Sequence, residues 1–103
     1  MTYSDTAVLT IDLAALTQNY HAMQTAAKGA QTAAVVKANA YGLGLEPVVK
    51  ALSKAGCTHY FVALAQEGVE LRALLPDAVI YVLNGLPEGA AADFAEYKLR
   101  PCL

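Results

Sequence analysis

The sequence predicts an α/β domain in which parallel strands alternate with helices. Short apolar runs, the candidate strands, alternate with stretches whose apolar residues recur every three or four positions. The run Thr32–Ala38 is apolar without alternation, which is typical of a strand buried on both faces of a parallel sheet. No linker, low-complexity segment or charge block divides the chain. This order suits either a doubly wound sheet or a (β/α)8 barrel.

The length of the chain limits how much of a barrel it supplies. A (β/α)8 barrel usually needs about 250 residues, and this chain has 103. The sequence also stops on Pro101-Cys102-Leu103, an apolar stub that would leave an open sheet edge if it stood alone. We therefore expect a piece of a larger protein, about half of such a barrel.

The first predicted unit is a strand at Ala7–Ile11 followed by a helix. Asp12 is a suitable N-cap for this helix. Its apolar face is formed by Leu13, Leu16, Tyr20, Met23 and Ala27. Lys28 and Gly29 supply a positive last turn and a glycine stop.

The second unit begins with the strand Thr32–Ala38 and continues through a loop, Asn39–Leu45. Pro47 fits the first turn of the following helix. The apolar stripe of this helix comprises Val48, Val49, Leu52 and Ala55, and Gly56 ends it. The later predicted elements are, in order, strand Tyr60–Leu64, helix Gln66–Leu75, strand Ala78–Leu83, helix Gly89–Tyr97 and the start of a strand at Leu99–Leu103.

Composition and charge narrow the function classes. The chain is 56% hydrophobic and 16% charged, yet no apolar run approaches the roughly 18 residues of a membrane helix. Residues 1–5 lack the basic and apolar regions of a signal peptide, so we expect a cytoplasmic protein that uses no membrane. The net charge of −2 and the absence of a basic cluster argue against a nucleic-acid partner.

The cysteines and histidines predict no special chemistry. Cys57 and Cys102 are far apart and are not in a CxxC frame, which favours two reduced thiols. His21 and His59 have no metal-ligand spacing to each other or to either cysteine. We therefore predict no metal site.

The segment Ala34–Gly44, with sequence AVVKANAYGLG, contains the strongest candidate for catalytic chemistry. Lys37 stands at a predicted strand end, where parallel α/β folds collect functional groups. A desolvated lysine becomes an amine nucleophile that forms Schiff bases. Tyr41 is placed to donate to a phosphate, and Gly42 and Gly44 permit close approach of the backbone. From the residue types alone, two alternatives remain: Lys37 is simply solvated, and Tyr41 is a loop residue that packs on the core.

The segment Ala34–Gly44 strongly resembles the pyridoxal-phosphate attachment motif of alanine racemases. The resemblance extends along the chain. It includes Leu9–Leu13 with Asn19, Phe61–Gly68 with Leu71 and Arg72, and Ile80–Gly85. It implies that residues 1–103 are the N-terminal part of a pyridoxal-phosphate-binding (β/α)8 barrel domain, with the rest of the barrel and a C-terminal β domain absent.

The resemblance also implies roles for individual residues. Lys37 would be the catalytic Schiff-base lysine that binds pyridoxal 5'-phosphate and one of two acid–base groups. Tyr41 would bind the cofactor phosphate. Leu83 would pack near the cofactor ring, although an ordinary core leucine is an equal alternative. Glu67 and Arg72 match the family pattern and are interpreted as a structural polar pair on a helix, not as catalytic groups.

For the whole protein, the resemblance implies interconversion of L- and D-alanine, which supplies D-alanine for peptidoglycan, by a homodimer. The opposing base would be a tyrosine of the partner subunit, and the arginine facing the pyridine nitrogen would lie beyond Leu103. We therefore expect the 103 residues alone to be inactive. Two alternatives are a non-catalytic pyridoxal-phosphate-binding barrel and an inactive structural fragment of a truncated racemase.

The sequence departs from the family pattern at one position in the motif. Leu43 stands where many family members have histidine. Neither the covalent bond of Lys37 nor the phosphate contact of Tyr41 requires that histidine. We expect the change to be tolerated, and restoring histidine to alter cofactor affinity only modestly.

Overall fold

The computed structural model describes residues 10–103. Its elements are α1 (Leu13–Ala26), β1 (Ala34–Val35), α2 (Lys37–Tyr41), α3 (Leu45–Lys54), β2 (His59–Val62), α4 (Ala65–Leu74), β3 (Val79–Val82), α5 (Ala91–Glu96) and β4 (Leu99–Pro101). Most of the predicted strand Ala7–Ile11 lies outside the described residues. Thr10 and Ile11, which are described, are not in a strand.

The four strands form one parallel sheet in the order β1-β2-β3-β4. Each new strand is added on the same side of the previous one. The described sheet therefore has no point where the strand order reverses, which a doubly wound fold requires. This order is that of a barrel segment. The predicted α/β fold with parallel strands alternating with helices is confirmed.

One face of the sheet packs against the helices and forms the core. Tyr60, Val62, Ile80 and Val82 point to this face and are at most 1% exposed. The helices contribute apolar side chains to the same cluster, including Val48, Val49, Leu52, Leu71 and Phe94. Each fully buried side chain of this kind contributes about 1.5–3 kcal/mol relative to an exposed one. The core therefore holds the strands in place, and with the strands it holds the sheet edge at their carboxyl ends, where functional residues are expected.

The opposite face carries a row of side chains across all four strands. Val35 pairs with Phe61, Phe61 with Tyr81, and Tyr81 with Arg100 in the strand register. The Phe61 and Tyr81 rings stack at 4.7 Å between centroids, and the Arg100 guanidinium lies 5.8 Å from the Tyr81 centroid. Val35 is 43% exposed. The expectation that the first of these strands is buried on both faces was therefore wrong for the described residues.

The second predicted unit differs most from the structure. The predicted strand Thr32–Ala38 is observed only at Ala34–Val35, because Ala38 already belongs to a left-handed turn. The predicted loop Asn39–Leu45 contains the rest of that turn and the first residue of α3. A left-handed turn of non-glycine residues has no signature in apolar periodicity, since it is unfavourable for those residues in isolation.

The other helix predictions agree with the structure to within one or two residues at most ends. Asp12 caps α1, because its Oδ1 accepts from the backbone N–H of Ala15 at 3.0 Å. Helix α4 packs very closely on the sheet: a Cβ placed on Gly68 would lie 2.9 Å from Cδ2 of Leu99. No helix within residues 10–103 is long and apolar enough to cross a membrane.

Candidate functional site

The segment after β1 is a single turn of left-handed helix. Ala38, Asn39, Ala40 and Tyr41 have φ values of 52°, 56°, 56° and 58°. Each non-glycine residue in this conformation costs about 1–2 kcal/mol. Four in succession persist only when the surrounding structure holds them, and strain of this kind concentrates at functional sites. The turn therefore marks the edge of the sheet next to Lys37 as a candidate site.

Backbone hydrogen bonds hold the turn from within. The Ala40 N–H donates to the Val36 carbonyl at 3.0 Å, and the Gly42 N–H donates to the Ala38 carbonyl at 2.9 Å. Ala40 is only 3% exposed, so its methyl group is packed against the core. At the far end, Oδ1 of Asn39 accepts from the Leu45 N–H at 2.8 Å. This bond connects the turn to the start of α3.

The carboxylate of Glu67 holds the beginning of the turn from outside. Its Oε2 accepts from the Ala38 N–H at 2.6 Å. Its Oε1 accepts from the N–H groups of Ala63 and Leu64 at 2.8 and 2.9 Å. One side chain in the first turn of α4 thus joins the segment after β1 to the segment after β2. Hydrogen bonds to an ionised carboxylate are stronger than those between neutral groups.

The structure brings Lys37 and Tyr41 together, as the motif predicted. The Lys37 Nζ lies 5.9 Å from the centroid of the Tyr41 ring, within the range of a cation–π contact. Lys37 is half-buried, whereas Tyr41 is 61% exposed. An amine and an accessible phenol therefore occupy the same turn. Their roles toward a cofactor remain predictions.

Leu83 lies at the same edge of the sheet, directly after β3. Its N–H donates to the Val62 carbonyl at 2.8 Å, and its side chain is 41% exposed. Leu64, which follows β2, is 53% exposed. Because the carboxyl ends of parallel strands meet at one edge, these leucines supply apolar surface on the edge that carries Lys37. Leu83 therefore lies outside the buried core of the described residues.

Glu67 and Arg72 do not form the polar pair that the sequence suggested. Whereas Glu67 accepts from backbone N–H groups, Arg72 donates to backbone carbonyls. Its acceptors are the carbonyl oxygens of Leu75, Pro76, Ala78, Tyr97 and Lys98. Burial lowers the pKa of Arg72 and the carboxylate of Asp77 partly restores it; an arginine nevertheless stays charged. Both residues act on the backbone, at opposite ends of α4.

Sequence reasoning missed the contact between Glu67 and the lysine turn. The two residues that it joins are 29 positions apart in the sequence. No local sequence pattern predicts a contact over such a separation. Its only sequence signal is the position of a glutamate in the first turn of a helix that follows a neighbouring strand, where carboxylates commonly accept from backbone amides.

Comparisons with known proteins agree with this architecture. The profile of the family "Alanine racemase, N-terminal domain" matches residues 11–103. The alanine racemase of Methylobacterium sp. (strain 4-46) is 50% identical over 95 residues, covering 92% of this chain and 26% of the relative. That of Brucella abortus (strain 2308) is 52% identical over 97 residues, covering 93% and 24%. The chain spans about a quarter of the length of these relatives.

Solved structures give the same result. Alanine racemase from Bartonella henselae with covalently bound pyridoxal phosphate superposes with a TM-score of 0.84 at 40% identity, covering 88% of this chain and 26% of that one. The biosynthetic alanine racemase from Pseudomonas aeruginosa gives 0.81 at 39% identity, covering 86% and 25%. The chain belongs to the alanine racemase N-terminal domain family.

Proposed function

We propose that residues 1–103 form the N-terminal part of the cofactor-binding barrel domain of an alanine racemase, and that Lys37 is its cofactor lysine. The observation that carries the proposal is the placement of Lys37 directly before a strained turn and close to Tyr41, at the carboxyl edge of a parallel sheet. The family membership supports the reaction class.

The residues at this edge fit pyridoxal 5'-phosphate. The group carries an aldehyde, a phosphate and an aromatic ring. Lys37 offers an amine for the aldehyde, Tyr41 offers a hydroxyl for the phosphate, and Leu83 offers exposed apolar surface for the ring. When bound, the cofactor supplies an electron sink that weakens the bond between the α-carbon of an amino acid and its hydrogen.

Each of the three residues then has a defined task. Lys37 would hold the cofactor through Nζ, and the same amine would take or return a proton at the substrate α-carbon from one face. Tyr41 would donate a hydrogen bond from its hydroxyl to a phosphate oxygen. Leu83 would pack against the ring and exclude water there. These tasks need an amine, a donor and an apolar surface on one edge, which is what this turn and the end of β3 provide.

Racemisation also needs a proton donor on the opposite face of the α-carbon. By resemblance to the family, we propose that a tyrosine of a partner subunit supplies it, in a cytoplasmic homodimer whose substrate is alanine and whose D-alanine product serves peptidoglycan synthesis. We expect no racemase activity from the isolated 103 residues, because they supply only one face.

The test uses the full-length protein that carries this segment, incubated with L-alanine and pyridoxal phosphate. We expect D-alanine from the unaltered protein and from the Lys54→Ala control, which removes an exposed lysine of α3. We expect only background from Lys37→Ala. Covalent binding of the cofactor without D-alanine formation would support a non-catalytic cofactor-binding barrel instead. Equal activity in Lys37→Ala would contradict the proposal.

A further inference from the structure

We propose that Glu67 is a positioning residue for Lys37. Its carboxylate clamps the backbone on the C-terminal side of the lysine and thereby fixes where the amine lies. The part of this proposal that concerns the cofactor rests on the proposed function. The hydrogen bonds of Glu67 to the backbone are a property of the described residues and do not depend on it.

The first step in the argument is that the two carboxylate oxygens serve different segments. Oε1 accepts from the amides of Ala63 and Leu64, which connect β2 to α4. Oε2 accepts from the amide of Ala38, the residue that follows Lys37. A helix-capping role explains the bonds of Oε1, because a glutamate in the first turn commonly reaches back to the amide before it. It does not explain the bond of Oε2 to another strand.

The second step concerns the Ala38 amide. It lies at the start of the left-handed turn, where the first amides of a helical turn have no acceptor within the turn. A hydrogen bond to a charged group is stronger than one between neutral groups. The bond from Glu67 therefore opposes the cost of the left-handed conformation at the residue on which it acts.

The third step is that Lys37 is held on both sides. On its N-terminal side, the Val36 N–H donates to the Phe61 carbonyl at 2.9 Å, and Val36 is 2% exposed. On its C-terminal side, the Ala38 amide is bound by Glu67. Both partners belong to the β2–α4 unit. The lysine backbone therefore has a fixed position relative to the neighbouring strand, and the Glu67 bond is the side-chain half of that restraint.

The test compares Glu67→Gln with Glu70→Gln in the full-length protein. A glutamine has the shape of glutamate but only one acceptor oxygen. It must therefore leave either the Ala38 amide or the two amides of Ala63 and Leu64 without an acceptor. Glu70 is exposed on the same helix, so its variant controls for the loss of a negative charge.

Two of the measurements on each variant do not depend on the activity of the loaded enzyme. Hydrogen exchange of the cofactor-free protein reports the Ala38 amide. Stopped-flow mixing with pyridoxal phosphate reports the rate of covalent attachment. For Glu67→Gln we expect about tenfold faster exchange at Ala38 and slower attachment, with Glu70→Gln at wild-type values. In steady-state assays we expect kcat to fall by up to about a hundredfold with KM changed far less.

The outcomes separate this proposal from the proposed function. Unchanged exchange at Ala38 and unchanged attachment in Glu67→Gln would overturn the positioning role and leave the racemase assignment standing. Suppose that exchange at Ala38 is faster in Glu67→Gln but that even the wild type never attaches the cofactor. This result would overturn the racemase assignment and would still support the contact between Glu67 and Ala38. If Glu67→Gln does not fold, Glu67→Asp replaces it. A shorter carboxylate keeps the charge but does not reach both segments, so wild-type exchange and attachment in that variant would equally overturn the proposal.

Discussion

The two ends of α4 use opposite charges for different purposes. In its first turn, the carboxylate of Glu67 accepts from three backbone amides. In its last turn, the guanidinium of Arg72 donates to five backbone carbonyls. Both signs suit the helix dipole, which favours anions at the N-terminus and cations at the C-terminus.

The backbone that each side chain holds is what differs. Glu67 binds a turn with four successive non-glycine residues in the left-handed region, directly after Lys37. Arg72 binds the connections that lead into β3 and β4, far from the lysine turn along the strands. Similar anchoring therefore positions a reactive group at one end and stabilises the scaffold at the other. Changes at the first end should alter chemistry, and changes at the second should alter stability.

The largest effect is expected for Lys37→Arg, which tests the functional end. Arginine retains the positive charge and the contact with Tyr41, but its guanidinium does not form the covalent bond to an aldehyde that an amine forms. We expect racemase activity of the full-length protein to fall about 10³-fold or more, with little change in its thermal midpoint. Activity within tenfold of the wild type would show that the covalent bond is not needed.

The next effect is expected at the scaffold end. Arg72→Ala removes hydrogen bonds to five carbonyl oxygens, and three of these bonds are partly buried. We expect the free energy of unfolding to fall by about 2–4 kcal/mol, measured by urea denaturation. The kcat of the folded fraction should stay close to the wild-type value. A large loss of kcat at unchanged stability would remove the distinction between the two ends.

A smaller effect is expected for Tyr41→Phe, which removes one hydroxyl and keeps the ring beside Lys37. A hydrogen bond to a phosphate is charge-assisted and contributes about 1.5–3 kcal/mol. We expect the Kd for pyridoxal phosphate to rise about tenfold or somewhat more, measured by equilibrium titration of the cofactor-free protein. An unchanged Kd would mean that Tyr41 does not bind the phosphate.

The smallest effect at neutral pH concerns Tyr60, at the start of β2. Its hydroxyl donates to the Cys57 carbonyl at 3.0 Å, and burial, followed by the nearby Cys57 thiol, raises the pKa of the phenol above its ordinary value of 10.0. The unfolded chain loses this proton near pH 10.0, whereas the folded chain keeps it. Stability from this group is therefore complete below pH 10.0 and is lost as the pH rises above it.

Tyr60→Phe checks that sign. We expect the wild type to lose stability between about pH 8 and about pH 11, and the variant to lose less over the same range, measured by urea denaturation at each pH. The wild-type loss will include a contribution of the same sign from Tyr20, whose pKa burial also raises. An identical pH dependence in both proteins would show that the phenol titrates alike in the folded and unfolded chains.

Much of the fold was predictable because strands and helices differ in apolar period. The later strands and helices, from Tyr60 onward, lie within one or two residues of their predicted bounds for this reason. The strand before Lys37 was predicted too long, since Val36, Lys37 and Ala38 suit a strand by composition. In the structure the Val36 N–H donates to the Phe61 carbonyl and the Ala38 N–H donates to Glu67, two contacts with residues far away in the sequence.

The candidate site was predictable only in part. The motif predicted Lys37 and Tyr41 at one strand–loop junction, and the structure has the two side chains 5.9 Å apart there, because both lie within five residues. The left-handed conformation of Ala38–Tyr41 was not predicted, and neither was the contact of Glu67 with Ala38, which spans 29 residues. A contact of that kind follows from the register of two strands, which one sequence does not reveal.

The most direct test of the account is the mass of one peptide. The full-length protein is loaded with pyridoxal phosphate, reduced with borohydride to make the linkage permanent, digested, and analysed by mass spectrometry. The account predicts that the added mass is found on Lys37 and is absent from Lys37→Arg. Added mass on another lysine, such as Lys50 or Lys54, with an unmodified Lys37, would contradict it.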